Sequence, residues 1–393
     1  MNFIFISPHY PAHFKEFTRR LKERGVNVLG IGDAPYSGDP AFMDGLSDYI
    51  FVQSLEDYES VYRAVASYIA RYGRIDFIES QNEYWLSLDA RIRTDFNIKS
   101  GPSSEELLRM NHKSRMKEAF LSAGVPCARF ILPHSLEEAA DFALKVGYPV
   151  IIKPDKGVGA SDTHKISNVS ELGIFWKNRA DIQYIEEEFI PGHIETFDGI
   201  TNSHSDVLVA LSQLQPVAPL EVVDSDSDVL SFCVDPPSDL RSAGERILKE
   251  FVVKNRFFHF EFFRLDKDKE GLGEKGSIVA LEVNMRAPGG YIPDEMNFAL
   301  DSDVYTIWAD SVIHDRSYMN CRFNHFVTHV GRKNSIDHAH SDEEIRAALK
   351  EHIVMERDIP AIHAREIGDH VFLLRADTKA ERDRMISYML ERR

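Results

Sequence analysis

Short apolar runs alternate with amphipathic stretches through the first hundred residues. Asn2–Ser7 places Phe3, Ile4, Phe5 and Ile6 in succession, the pattern of a buried strand. Phe14–Arg24 then sets Phe14, Phe17 and Leu21 at helical spacing, with Gly25 as the stop. Asn27–Ile31 predicts a second strand, Tyr58–Tyr72 a second helix and Asp76–Ser80 a third strand. Strands alternating with helices imply parallel pairing in an α/β layer. Such sheets bind ligands at the carboxyl ends of their strands. Ser7-Pro8-His9 and Gln81-Asn82-Glu83 lie at two such ends; each is a ligand-facing loop or a plain connection.

Lys99-Ser100-Gly101-Pro102-Ser103-Ser104 reads as a linker, so residues 1–103 are expected to form one domain. Beyond it, Ser104–Ala123 predicts a single helix stopped by Gly124 and Pro126. Leu136–Lys145 predicts another helix, and Tyr148–Lys153 and Tyr184–Glu188 predict strands. Phe257–Arg264 and Ser277–Asn284 predict a strand pair around a polar tip, Asp266–Gly276. A second domain over 104–316 and a small C-terminal subdomain over 317–393 follow. The tail has strands at Phe323–Val330 and His370–Arg375 and helices at Asp342–Glu351 and Lys379–Arg392.

The 393 residues carry 46 Lys plus Arg against 63 Asp plus Glu, a formal charge of −17. That field repels nucleic acid and anionic membrane surfaces, so neither is expected as a partner. Cys127, Cys233 and Cys321 are scattered, which argues against a disulfide framework or a thiolate zinc site. With no basic leader pattern and no apolar run of roughly 18 residues, the expected location is cytoplasmic. The run Asp224-Ser225-Asp226-Ser227-Asp228 lacks the glycine and terminal glutamate of an EF-hand loop and reads as a solvated acidic loop.

Leu281-Glu282-Val283-Asn284-Met285-Arg286 carries the strongest chemical signal. Strand alternation puts Glu282, Asn284 and Arg286 on one face and Leu281, Val283 and Met285 in the opposite layer. Carboxylate and carboxamide oxygens are hard ligands suited to magnesium, and arginine clamps phosphate or carboxylate oxygens. Glu261 lies among Phe257, Phe258, Phe260, Phe262 and Phe263, an apolar setting that makes an unpaired carboxylate costly to ionise. Hairpin pairing would bring it beside Glu282, where a cation between the two relieves their repulsion. Upstream, Lys153 ends an apolar strand and is followed by the glycine loop Gly157–Thr163, which reads as a plain turn or as a backbone cradle for phosphate.

The ordered set resembles the ATP-grasp superfamily, in its carboxylate–amine ligase and biotin-carboxylase-like branch. The pieces are Asn111-His112-Lys113, Ile152-Lys153-Pro154 with its loop, and Glu186-Glu187-Glu188-Phe189-Ile190-Pro191-Gly192. Phe260-Glu261-Phe262, Glu282-Val283-Asn284-Met285-Arg286 and Gly289-Gly290 complete the series. The resemblance implies an α+β ATP-grasp core of two lobes, a Rossmann-like parallel-sheet domain before it and a small α+β subdomain after it. It implies that Lys113 and Lys153 bind ATP phosphates, with Gly157, Gly159 and Ser161 in the lid. Glu187, Glu188, Phe189 and Ile190 would recognise adenine, and Glu195 would reach the ribose. Glu261, Glu282 and Asn284 would hold two magnesium ions, for which manganese substitutes. Arg286, with Lys153, would face the transferred phosphoryl group. His112 departs from the aspartate many relatives have at that place.

The implied activity is ADP-forming: a carboxylate is activated by ATP as an acyl phosphate and joined to an amine. The expected partners are small carboxylates and amines and a second copy of the chain in a homodimer. Two alternatives share the core: a biotin-carboxylase-type enzyme that phosphorylates bicarbonate, and a non-catalytic ATP-binding regulatory protein.

Overall fold

A computed structural model describes all residues except 37, 158–161 and 217–226, and the side chain of residue 362. The first sheet is parallel, with β1 (Asn2–Ile6), β2 (Asn27–Gly32), β3 (Asp48–Phe51) and β4 (Phe77–Glu79) in the order β3-β2-β1-β4. Ile4, Ile6, Leu29 and Ile31 pack on one side with Val61, Val65 and Tyr68 of the helix Tyr58–Tyr72. Phe3 and Phe5 face the other way and meet Phe17 and Trp308. The expected parallel α/β layer is present, and β3, which the apolar pattern does not reveal, forms one edge.

A small antiparallel sheet follows. It contains β5 (Phe130–Ile131), β6 (Val150–Pro154), β7 (His164–Ile166) and β8 (Tyr184–Glu188), in the order β5-β8-β6-β7. One face packs under the helices Leu136–Val146 and Val169–Asn178, burying Val150, Ile152, Ala143 and Leu172. The other face carries Lys153 and Glu187.

The third sheet has eight strands: β9 (Gly192–Thr201), β10 (Val207–Gln215), β11 (Val229–Val234), β12 (Phe257–Leu265), β13 (Ile278–Asn284), β14 (Phe326–Arg332), β15 (Ile353–Asp358) and β16 (His370–Ala376). Their order is β13-β12-β9-β10-β11-β14-β16-β15. The strands of the last seventy residues therefore continue this sheet through the β11–β14 pair. Phe197, Phe258, Phe260 and Phe262 form a core with the helices Lys113–Ser122 and Ser238–Glu250. Gly244 permits this close approach, since a Cβ there would lie 2.1 Å from the Phe197 ring. Phe257 and Leu211 face the opposite side, toward the helix Val304–His314 and the first sheet.

The single helix expected over Ser104–Ala123 is two, Ser104–Asn111 and Lys113–Ser122, broken at His112 with ψ of 119°. The break has a cause in the next lobe. The Lys113 N–H donates to the Asp155 carbonyl at 2.8 Å, and the Ser114 N–H donates to its carboxylate at 2.8 Å. Asp155 thus satisfies two donors that would otherwise point along a continuous helix.

Candidate active site

The β12–β13 register sets Glu261 directly opposite Glu282 and His259 opposite Asn284. Directly paired residues share a face, so both carboxylates and the carboxamide line one ridge. Between the Glu261 and Phe262 positions β13 carries one extra residue, Leu281. This bulge corrects one expectation. Leu281 does not enter the opposite layer; Ala280, Val283 and Met285 fill it with Phe260 and Phe262, and Leu281 stays half-buried outside that cluster.

The two carboxylates are placed in unequal fields. Burial would raise Glu261, but hydrogen bonding to His259 at 3.2 Å, together with the charges of His259, Arg286 and Lys153, holds it below the usual range. Glu282 is pushed up by burial and by the charge of Glu261, against the pull of Lys113 and Lys153. His259 also contacts Asp198 at 2.5 Å, and despite burial these acids raise its pKa to about 10. The ridge therefore concentrates acid and draws cationic groups from three different segments.

On the small sheet, Lys153 and its neighbour Glu187 face the cleft. The Glu187 carboxylate lies between two ammonium groups, with Lys153 Nζ at 3.2 Å and Lys117 Nζ at 3.2 Å. Lys117 is 1% exposed, and sequence reading missed it: nothing but its helical position, one turn after Lys113, marks it. Glu188 points to the other face, where Arg129 at 2.7 Å and Lys269 at 3.3 Å neutralise it. Its side chain is thus turned from the cleft, which leaves the backbone of this position for the expected adenine contact. Phe189 lies under Lys165, whose Nζ is 4.6 Å from the ring centroid. Ile190 packs with Ala128, Leu265 and Val279 where the two sheets meet.

Lys113 starts its helix beside the loop after β6, and its Nζ donates to the Gly157 carbonyl at 3.3 Å. Gly159 and Ser161, expected in that loop, lie outside the described residues, as do residues 224–226 of the acidic run. Asp228, from the same run, is paired with His338 at 3.0 Å.

Arg286 follows the ridge. It forms an ion pair with Glu83 of the first sheet's carboxyl end and donates to the Ala287 carbonyl at 2.9 Å, while its Nε is buried without a partner. Gln81 accepts from the Ala287 N–H at 3.0 Å. The segment Gln81-Asn82-Glu83 is therefore brought to the site, as its place at a strand end suggested. Glu195 is not. It pairs opposite Phe262, on the face turned from Glu261, and Arg264 clamps both its oxygens at 2.7 Å. With both oxygens used on the far side of the sheet, the ribose contact expected for Glu195 is corrected.

Among the described residues, no group of three or more His, Cys, Asp or Glu side chains is gathered that could hold a metal ion alone. Two facing carboxylates and one carboxamide nevertheless suit magnesium, which keeps several sites for water and substrate phosphate oxygens. The direct pairing of Glu282 with Glu261 sets two acceptor side chains beside each other, an arrangement that fits a cation there.

The chain is similar to known proteins in sequence and in fold. The family "Carbamoyl-phosphate synthase L chain, ATP binding domain" matches residues 112–180. An L-arginine-specific L-amino acid ligase of Bacillus subtilis is 28% identical over 288 residues, 70% of this chain and 67% of that one. The chain spans only 24% of a carbamoyl phosphate synthase large chain of Bifidobacterium animalis, at 25% identity. Among solved structures, an L-amino acid ligase from Bacillus licheniformis superposes with a TM-score of 0.71 over 98% of this chain and 95% of that one, at 14% identity. The biotin carboxylase domain of Hydrogenobacter thermophilus 2-oxoglutarate carboxylase, in complex with MgADP and bicarbonate, gives 0.70 over 98% and 89%, at 16% identity. No described helix is long and apolar enough to cross a membrane. The chain thus has the fold of these ligase and carboxylase structures, and its residues 112–180 are similar to the ATP-binding segment of that family.

Proposed function

We propose that the protein is an ADP-forming ligase that activates a small carboxylate with ATP and joins it to an amine. The observation that carries this reading is the ridge of Glu261, Glu282 and Asn284 opening toward Lys113, Lys153 and Arg286. Its acids suit magnesium and its cations suit phosphate oxygens. In this reading residues 1–103 supply Glu83 and Gln81, residues 104–316 carry the nucleotide and residues 317–393 extend the sheet.

The carboxylate oxygen of the substrate attacks the γ-phosphorus of ATP, the bond to ADP breaks, and an acyl phosphate results. The amine nitrogen then adds to the acyl carbon, phosphate leaves, and the amine proton passes to solvent. Lys113 and Lys153 hold phosphate oxygens, and the planar fork of Arg286 takes the phosphoryl group in transfer. Glu187 keeps Lys153 extended and Asp155 fixes Lys113, so both cations are set before the nucleotide arrives. Bound magnesium would neutralise charge on the phosphates; Glu261, Glu282 and Asn284 would hold two such ions, with manganese as a substitute.

An α-amino acid is the proposed carboxylate, supported by the relation to the L-amino acid ligases. A homodimer is the proposed assembly, checked by light scattering. The deciding experiment measures ATP consumption with magnesium across pooled amino acids, resolving ADP from AMP. ADP and phosphate formed only when acid and amine are both present supports the ligase. AMP and pyrophosphate, or turnover that needs only biotin and bicarbonate, overturns it.

A further inference from the structure

A cavity of about 740 Å³ lies where the linker 98–103 passes the segment 251–256. None of the cleft residues above lines it except through Met285, the neighbour of Arg286. Its charge runs against that of the molecule. Arg93, Lys99, Arg109, Lys254 and Arg256 face it, against Glu105 and Glu106, with Arg109 already ion-paired to Glu250 at 2.5 Å, in a chain of formal charge −17.

Two of these cations form a buried floor. Arg93 and Arg256 are each 2% exposed, and both turn to one carboxylate, Glu79, with Arg93 Nη1 at 3.6 Å. Arg93 spends Nε on the Pro102 carbonyl at 2.9 Å and Nη1 on the Ile78 carbonyl at 2.8 Å. Its Nη2 is buried with no partner. Gly101 lets the linker pass flat over both guanidinium groups, since a Cβ there would lie 2.3 Å from Arg256 Nη2 and 3.0 Å from Arg93 Cζ. Glu79 and the buried Asp89 both act on Arg93, so the two guanidinium groups are largely balanced within the floor, while the rim cations Lys99 and Lys254 are exposed above it.

We propose that this cavity is a second binding site, distinct from the nucleotide cleft, for a small multiply charged anion bearing phosphate groups. Its volume suits a ligand of metabolite size, and the one unpartnered guanidinium donor, Arg93 Nη2, with the flanking ammonium groups of Lys99 and Lys254, is chemistry that holds phosphate oxygens. Arg256 also donates from Nη1 to the Met285 carbonyl at 3.1 Å, so an occupant at its other edge touches the residue that precedes Arg286.

Inorganic pyrophosphate is the probe, titrated calorimetrically into the full chain in metal-free buffer. Binding is expected in the wild type and in Lys153→Ala, and to weaken at least tenfold in Lys99→Gln/Lys254→Gln, whose side chains are exposed and carry no part of the cleft. Should that double variant fail to fold, Arg109→Gln is read instead, with the same direction. Absence of binding to the wild type at millimolar pyrophosphate overturns the proposal. So does its loss in Lys153→Ala, or its persistence at full strength in the rim variant.

Discussion

Arg286 is ion-paired with Glu83, across 203 positions of sequence, so the end of the first sheet reaches the proposed phosphoryl site. The pair is largely shielded, with side chains 14% and 18% exposed. An incoming phosphoryl or carboxylate group meets an arginine whose fork is already oriented. Arg286→Lys keeps the charge but loses the fork, since one ammonium cannot span Glu83 and the substrate together. Turnover by phosphate release is expected to fall about 100-fold, equivalent to about 2.7 kcal/mol of lost stabilisation. The dissociation constant for ATP should stay within about threefold, because the arginine acts on the group in transfer.

Glu282→Gln removes one of two facing carboxylates. Without metal, its melting temperature should equal or exceed that of the wild type, because the repulsion from Glu261 is gone. The rise in melting temperature produced by magnesium with ADP should disappear, and so should turnover. A variant that keeps the magnesium-dependent rise would remove Glu282 from the metal site.

Lys117 and Lys153 share the Glu187 carboxylate yet should respond differently to deletion. Lys117 is 1% exposed, so Lys117→Met leaves a buried carboxylate with half its counter-charge and is expected to cost about 3 kcal/mol in denaturant unfolding. Lys153 stands at the cleft, and Lys153→Ala should chiefly weaken ATP, by about tenfold, as read by calorimetry.

Glu186 is fully buried in the small sheet's core, with neither oxygen partnered, and burial raises its pKa from 4.5 to about 8. The folded state therefore holds a proton that the unfolded chain releases near pH 4.5. Stability carried by this group is intact below that value, falls as pH rises from 4.5 to 8, and is level beyond. The slope approaches roughly 1.4 kcal/mol per pH unit. Glu186→Gln, neutral at every pH, should match the wild type at pH 4.5 and be more stable at pH 8, by a few kcal/mol at most. A difference that does not grow between pH 5 and pH 8 would show that the carboxyl ionises freely.

The ridge was legible because strand alternation and a hairpin are local, and the tip at Asp266–Gly276 leaves little freedom in pairing Glu261 with Glu282. The bulge was not, since one extra residue leaves no mark in an apolar run and is fixed only by the partner strand. Strands β9, β10 and β11 escaped the pattern for another reason. Their polar residues Asp198, Gln213 and Thr196 are buried in a shared network, so apolar and polar positions do not report inside and outside. Glu195 shows the limit of motif transfer: the spacing after Gly192 is one residue longer than in some relatives, and strand parity sends the side chain through the sheet to Arg264. Lys117 and the Glu83–Arg286 pair depend on contacts between segments far apart in sequence.

The pairing of β11 with β14 also bears on synthesis. During translation, β11 is complete at Val234, but its neighbour begins only at Phe326. At roughly 5–20 residues per second, a nascent chain presents an open hydrogen-bonding edge for several seconds. Such an edge is a template for pairing with another chain. Ribosomes queued on one message would hold several copies with that edge exposed at once, making this interval the stage at which the polypeptide is most exposed to aggregation.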